Sequence, residues 1–232
     1  RHAPEGASIE QQPLWETART LFANRVFMGL SIGWAIQILI GYALAFWMAA
    51  VMLRQFEIST GDVGLYLGLA FFIGGIPGPI LGGYVAQWLT RHDERWRAWL
   101  PGAVSLLCVA PLAVSLSSDG FWPFLGFFAF AYGIYVASQA PILSGIQAAV
   151  EPGQRGFAVA IALFFNNLVG QALGLAVIGW ISDTLAPAHG AASLAIAVFA
   201  VCLVSGLAAM AVFAWTAAQM GPSGYLEKMA RG

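Results

Sequence analysis

Phe128, Tyr132, Tyr135 and Gln139 follow one another at intervals of four, three and four residues. On a helix that spacing is one face. Its rings would cover an apolar chain while the hydroxyls and the amide hydrogen-bond a polar head, the chemistry of binding an amphiphile. The same stripe also suits an aromatic packing seam between two helices, and both readings stand. Asn166, Asn167 and Gln171 form a second polar group. Neighbours on a helix point about 100° apart. One of the two Asn residues at most therefore faces a given cavity, and the other is expected to bond a neighbouring helix. Asn167 and Gln171 share a face. Gln37 stands alone, as an interhelical bond or a ligand contact. Arg54 follows Trp47 and Met48 at the end of an apolar run, where an Arg either snorkels to an interface or meets an anionic head group first.

Catalytic chemistry has no foothold. There is no Gly-Lys-Ser/Thr phosphate loop, no His-x-x-x-His and no Gly-x-Ser-x-Gly. The three His residues, His2, His92 and His189, lie outside the expected membrane spans. The reading is of a non-enzyme with no cofactor and no metal.

The elements that must position these residues are long and uncharged. Runs 26–53, 63–90, 98–118, 120–150, 156–182 and 184–226 contain no Asp, Glu, Lys or Arg. A helix needs about 20 apolar residues to cross a bilayer. Spans are expected at 26–53, 62–89, 98–117, 121–149, 156–182 and 191–217. Composition agrees, with 59% hydrophobic and 9% charged residues, against roughly 25% charged in soluble domains. In hydrocarbon every backbone group must be paired internally, so helices or closed barrels remain. Barrel strands alternate over about 10 residues, whereas these runs are longer and apolar throughout. The fold class is all-α integral membrane with six transmembrane helices. Residues 1–25 are expected as a cytoplasmic linker carrying a short surface helix over 14–24, 26–217 as the transmembrane part, and 218–232 as a cytoplasmic tail.

Net charge is −1, which argues against nucleic acid. Arg1, Arg19, Arg25, Arg91, Arg95, Arg97, Arg155, Lys228 and Arg231 fall on one side of the expected topology and Arg54 on the other. Positive residues concentrate in the cytoplasm, so both termini are expected there, in a bacterial inner membrane. No secretory leader is read ahead of the first span, and a chain starting at Arg1 reads as a fragment or a processed end. Mid-span charges mark proton relays and ion sites, and none is present. Cys108 and Cys202 are expected as packing residues rather than a disulfide.

Small residues set the packing. Gly64 and Gly68, then Gly74, Gly78 and Gly82, repeat every four residues, giving a smooth face for close approach of another helix. Pro77 and Pro79 should bend or unwind that helix. Gly170, Gly174 and Gly179 mark the fifth span in the same way. These rows either pack statically or serve as hinges. Ser59-Thr60-Gly61-Asp62 reads as a capping box, Asp119-Gly120 as a tight turn, and Glu151-Pro152-Gly153 as a stop before Arg155.

The order of these pieces resembles the C-terminal six-helix half of a major facilitator superfamily transporter, in its spinster-like branch, from about Pro13 to Met220. "GYALAFWMAAVMLR" is similar to that branch's Gly-Tyr-Ala-x-x-x-Trp-x-Pro stretch before an Arg, with Ala49 in place of Pro. "GGYVAQWLTRHDERW" resembles the superfamily loop motif, with Gln87-Trp88 where an Asp-Arg pair is usual and Arg91, Asp93 and Arg95 kept. "EPGQRGFAVA" resembles the Pro-x-x-Arg-Gly-x-Ala turn, and "NLVGQALGLAVIGWISD" a further motif with Leu175 in place of Pro.

The resemblance implies helices seven to twelve of a twelve-helix carrier working by alternating access, with a cavity near the midplane. The N-terminal half, in the same or a separate chain, and membrane lipids would be its partners. The cargo would be a sphingolipid- or lysophospholipid-like amphiphile, contacted by Gln37, Trp47, Arg54, Tyr132, Tyr135, Gln139, Asn167 and Gln171. Gly74, Gly78, Gly82, Arg91, Arg155, Gly170 and Gly174 would serve packing and conformational change. An exporter of small organic anions or drug-like molecules is the alternative. A lipid enzyme lacks a clustered catalytic group, and a channel subunit lacks a pore ring.

Overall fold

The structure, a computed structural model, describes residues 14–220 except Glu57, and of Leu14, Gln171 and Ala172 only the backbone. The expected linker and tail beyond those limits lie outside the described residues. Every regular element among the described residues is helical.

A surface helix, α1 (Leu14–Ala23), leads into α2 (Arg25–Tyr42). Asn24 caps α2 by accepting from the backbone N–H of Val26 and Phe27. A π-helical turn, Ala43–Trp47, carries α2 into α3 (Met48–Gln55). Ser59 then caps α4 (Thr60–Gly75) by accepting from the Asp62 N–H at 3.2 Å, as the capping-box reading expects. The helix breaks at Ile76, directly before Pro77, and resumes as α5 (Pro77–Thr90). Pro77 has no N–H to continue the ladder, so the break sits where the sequence placed it.

α6 (Trp96–Leu107) and α7 (Val109–Leu116) follow, then α8 (Phe121–Ala137) and α9 (Gln139–Ala148). α10 (Arg155–Val169) passes through a second π-helical turn, Gly170–Gly174, into α11 (Leu175–His189). Gly190 adopts φ 54°, a conformation open to a residue without Cβ. There the chain reverses into α12 (Ser193–Gln219), which returns against α11.

Five stretches of helix among the described residues are long and apolar enough to cross a membrane: Arg25–Gln55, Thr60–Thr90, Trp96–Leu116, Phe121–Ala148 and Leu175–Gln219. The last contains the Gly190 reversal.

The bundle has two polar ends and two apolar clusters between them. At one end the Asn24 side chain donates to the Ala149 carbonyl at 2.7 Å, Arg95 Nε to the Met220 carbonyl at 3.1 Å, and Arg97 to Ser144 Oγ at 3.3 Å. At the other, Arg54 donates to Ser182 Oγ at 3.4 Å and the Gln55 amide to the Ser118 carbonyl at 3.2 Å. Alternate connections thus gather at opposite ends.

One cluster packs Leu44, Met52, Leu112, Phe124, Phe128 and Cys202. The other packs Phe27, Leu30, Trp34, Ile146, Ala162 and Phe213. Cys108 and Cys202 are free and buried, as expected. Where a helical stretch passes from one cluster to the other, the switch falls near a buried polar residue: Gln37, Ser105, Ser138, Asn166 or Ser205; α4 contributes to the first cluster only.

The glycine row works as a contact between backbones. A Cβ on Gly74 would collide with the Ala129 carbonyl, on Gly78 with the Gly133 carbonyl, and on Gly82 with the Ala137 carbonyl. α4 and α5 therefore lie directly on α8. Gly64 and Gly68 share the spacing but face open space, which corrects their grouping with the row.

Candidate functional site

The stripe on α8 is divided by its neighbours. Phe128 is fully buried, and Tyr135 is 4% exposed. The Tyr135 hydroxyl lies over Gly41 of α2, in the space a Cβ there would need. Tyr132 and Gln139 stay half-buried. The Tyr132 ring is 4.7 Å from the Phe71 ring of α4 and covers Gly75. Gln139 Oε1 accepts from the Trp34 indole N–H at 3.0 Å. The stripe thus fills the seam between α2 and α4 and shows its edges at Tyr132 and Gln139. The packing reading fits Phe128 and Tyr135, and the binding reading retains Tyr132 and Gln139.

Gln37 has 0% exposure. Its Nε2 donates to Ser105 Oγ at 2.8 Å and to the Pro101 carbonyl at 3.3 Å, and its Oε1 accepts from Ser138 Oγ at 3.3 Å. Gln139 Nε2 reaches Ser138 Oγ at 3.4 Å. A chain of hydrogen bonds therefore runs from Trp34 through Gln139, Ser138 and Gln37 to α6. Both polar atoms of Gln37 are occupied, so in this conformation the residue ties helices together rather than facing a cavity.

Beside this seam is a second group that the sequence reading caught in part. The Tyr42 hydroxyl donates to Asn167 Oδ1 at 3.2 Å, and Tyr42 stacks on Phe46 with ring centres 5.3 Å apart. Asn167 Nδ2 donates to the Leu163 carbonyl at 2.8 Å. Asn167 and Phe46 are exposed. A Cβ on Gly170 would strike the Tyr42 ring at 2.5 Å, so that glycine is what admits the ring. Gly174 sits on Leu39. Asn166 instead is 3% exposed, with its Nδ2 unpartnered among the described residues. The Asn that bonds a neighbouring helix is therefore also the exposed one. Gln171, expected to share its face, has a side chain outside the described residues.

Tyr42 and Phe46 were not among the expected contacts. The signal was present: Tyr42 lies in the Gly-Tyr-Ala stretch, one turn before Trp47. Gly41 receives Tyr135 while Tyr42 receives Asn167, so adjacent residues at the head of the Ala43–Trp47 π-turn join the two groups. π-turns inside helices recur at functional sites.

Trp47 is half-buried, packs on Gly179 of α11, and has a buried, unpartnered Nε1 among the described residues. Arg54 lies in a separate cavity of about 310 Å³ with Gln55, Leu116 and Ala192. Arg155 Nε donates to the Gln147 carbonyl at 3.1 Å, closing the turn after α9, and Arg91 caps α5. Ile73, Pro77, Gly78, Trp122 and Ala129 border an apolar groove of about 480 Å³ between α4–α5 and α8, which none of the expected contact residues lines.

The chain is 32% identical over 145 residues to an MFS-type efflux pump of Mycolicibacterium smegmatis, a match spanning 62% of this chain and 34% of the pump. Two crystal structures of a bacterial homolog to the human lysosomal transporter Spinster share the fold. The inward-facing, unoccupied form matches with TM-score 0.69 over 99% of this chain and 52% of its own, and the inward-facing, occupied form with TM-score 0.60, each at 20% identity. The chain spans about a third of the pump and about half of the Spinster homolog. No family model matches it.

Proposed function

We propose that the chain forms the helix-seven-to-twelve half of a carrier that moves a lipid-like amphiphile by alternating access; its likeness in fold to the Spinster homolog and in sequence to the efflux pump, both transporters, supports that reading. Six spans follow if α10, its π-turn and α11 cross as the fifth and α12 as the sixth. Both termini are then cytoplasmic, in the inner membrane, and a second six-helix half completes the cavity.

The observation that carries this reading is a pair of uncharged aromatic and amide groups, Tyr42 with Phe46 and Asn167, and Tyr132 with Gln139, whose side chains stay at least partly exposed. Exposed rings give a tail apolar contact, and half-satisfied amides and hydroxyls bond a neutral or zwitterionic head. A carrier for small organic anions would be expected to place a cation beside these groups. Among the described residues Arg54, the cation expected to meet an anionic head group, lies in a different cavity.

The experiment is uptake of a fluorescent lysophospholipid into vesicles holding the full-length protein, with a hydrophilic organic anion as the competing cargo. Lysophospholipid movement that falls in Tyr42→Ala at unchanged melting temperature supports the proposal. Movement of the anion alone, unaffected by that change, overturns it in favour of the exporter alternative.

A further inference from the structure

A third cavity, of about 240 Å³, lies between α2 and α10, and its Val169 end adjoins Gly170, on which Tyr42 packs. Met28, Ile32 and Ile36 line one wall, Ile161, Phe165 and Val169 the other, and Phe22 of α1 borders it. Its walls are almost wholly apolar, which suits a hydrocarbon chain. Three features at one mouth say more.

Arg25, Met28, Ile32 and Ile36 recur at helical spacing, which puts Arg25 at the head of the lining stripe. On α1, Trp15, Arg19 and Phe22 share a face, while Thr17 and Leu21 are buried on the opposite one. Trp15 is 73% exposed, and the Phe22 ring meets the Phe165 ring edge-on at 6.3 Å, joining α1 to the far wall. Arg19 and Arg25 are exposed, with no hydrogen bond to another described residue. A helix with an aromatic face that carries Arg19, beside Arg25 at the start of a long apolar helix, is built to lie in the interface. Ser31, six residues and about 9 Å along α2 from Arg25, also lines the cavity, and its buried Oγ has no partner among the described residues.

We propose that this groove is a site for an anionic phospholipid, with one acyl chain between α2 and α10 and the phosphate head at Arg19 and Arg25. A zwitterionic lipid fills the groove equally well and gains little from the two cations. The site rests on the chain being embedded in a bilayer but not on the identity of the cargo.

The test uses the full-length protein in phosphatidylcholine vesicles doped with photoactivatable phosphatidylglycerol or phosphatidylcholine, the reactive group midway along the acyl chain. Crosslinks are mapped by mass spectrometry, and insertion is checked by carbonate extraction. Phosphatidylglycerol crosslinks at Met28, Ile32 and Phe165 should exceed those of phosphatidylcholine. Arg19→Gln with Arg25→Gln should erase the excess, at roughly 5-fold per basic residue near an anionic lipid. Arg19→Lys with Arg25→Lys should retain most of it, and inorganic phosphate should not compete. Equal labelling by the two lipids in the wild type overturns the site, as does an excess that survives the double Gln change, or a groove labelled by neither because another protein segment covers it. Protein stripped from the vesicles by carbonate would overturn the membrane reading itself, a separate outcome.

Discussion

Tyr42 and Asn167 are 125 positions apart in the chain, and a 3.2 Å hydrogen bond joins them beside two π-helical turns, Ala43–Trp47 and Gly170–Gly174. The Gly170 position explains the pairing, because the Tyr42 ring occupies the volume of the missing side chain. A polar contact that remains exposed while its helices interlock can accept a ligand without unpacking the bundle.

Tyr42→Phe and Asn167→Ala should each weaken amphiphile binding by about 0.5–1.5 kcal/mol, the net value of one hydrogen bond. The double change should cost less than the sum of the two, because both remove the same bond. Binding isotherms on the four proteins check this, and strict additivity would show that the pair does not act together.

Tyr135→Ala should mainly unfold. Tyr135 is buried against Gly41, so losing its ring should destabilise by about 3–5 kcal/mol. Tyr132→Ala, at a half-buried position, should spare more stability and reduce binding more. A thermal melt and a binding curve on each variant decide the matter. The reverse ranking would place the binding surface deeper in the α2–α4 seam.

Gln37→Leu keeps the volume of the side chain but breaks its bonds to Ser105 and Ser138. Interhelical hydrogen bonds in membrane proteins average about 0.6 kcal/mol and reach about 1.7. A stability loss in that range is expected, with substrate affinity unchanged among folded molecules. An affinity change at constant stability would show that Gln37 turns toward the cavity in another state.

Gly78→Ala should lower the melting temperature, because the new methyl group meets the Gly133 carbonyl, and overpacking of this kind costs typically 1–3 kcal/mol. Gly68→Ala, with nothing within 4 Å, should be neutral or slightly stabilising. Parallel melts test the pair. A Gly68 variant as damaged as the Gly78 variant would refute backbone contact as the reason for the row.

For topology, cysteines placed at Thr60 and at Asp93 should differ in intact cells. A membrane-impermeant thiol reagent should label position 60 and leave 93 unlabelled until the cells are opened. Cys108 and Cys202 are buried and should stay silent. Labelling at 93 alone would invert the proposed orientation.

The sequence by itself marked the helical stretches and several of their ends. Charge-free runs, the Ser59 cap, the Pro77 break and the Glu151-Pro152-Gly153 stop are local signals, each set by a residue and its immediate neighbours. Hydrocarbon tolerates few alternatives to a helix, so length and polarity sufficed. The resemblance to a major facilitator half followed from the order of such local pieces. What each side chain faces was decided only by the tertiary structure. Gly64 and Gly78 carry the same spacing, yet one meets open space and the other a backbone carbonyl. Asn166 and Asn167 are adjacent, yet one is buried and the other bonds Tyr42 at the surface. A helix apolar on all sides has no periodicity to mark its inner face. Its orientation is fixed by the partners that close on it, and those partners lie tens to more than a hundred residues away.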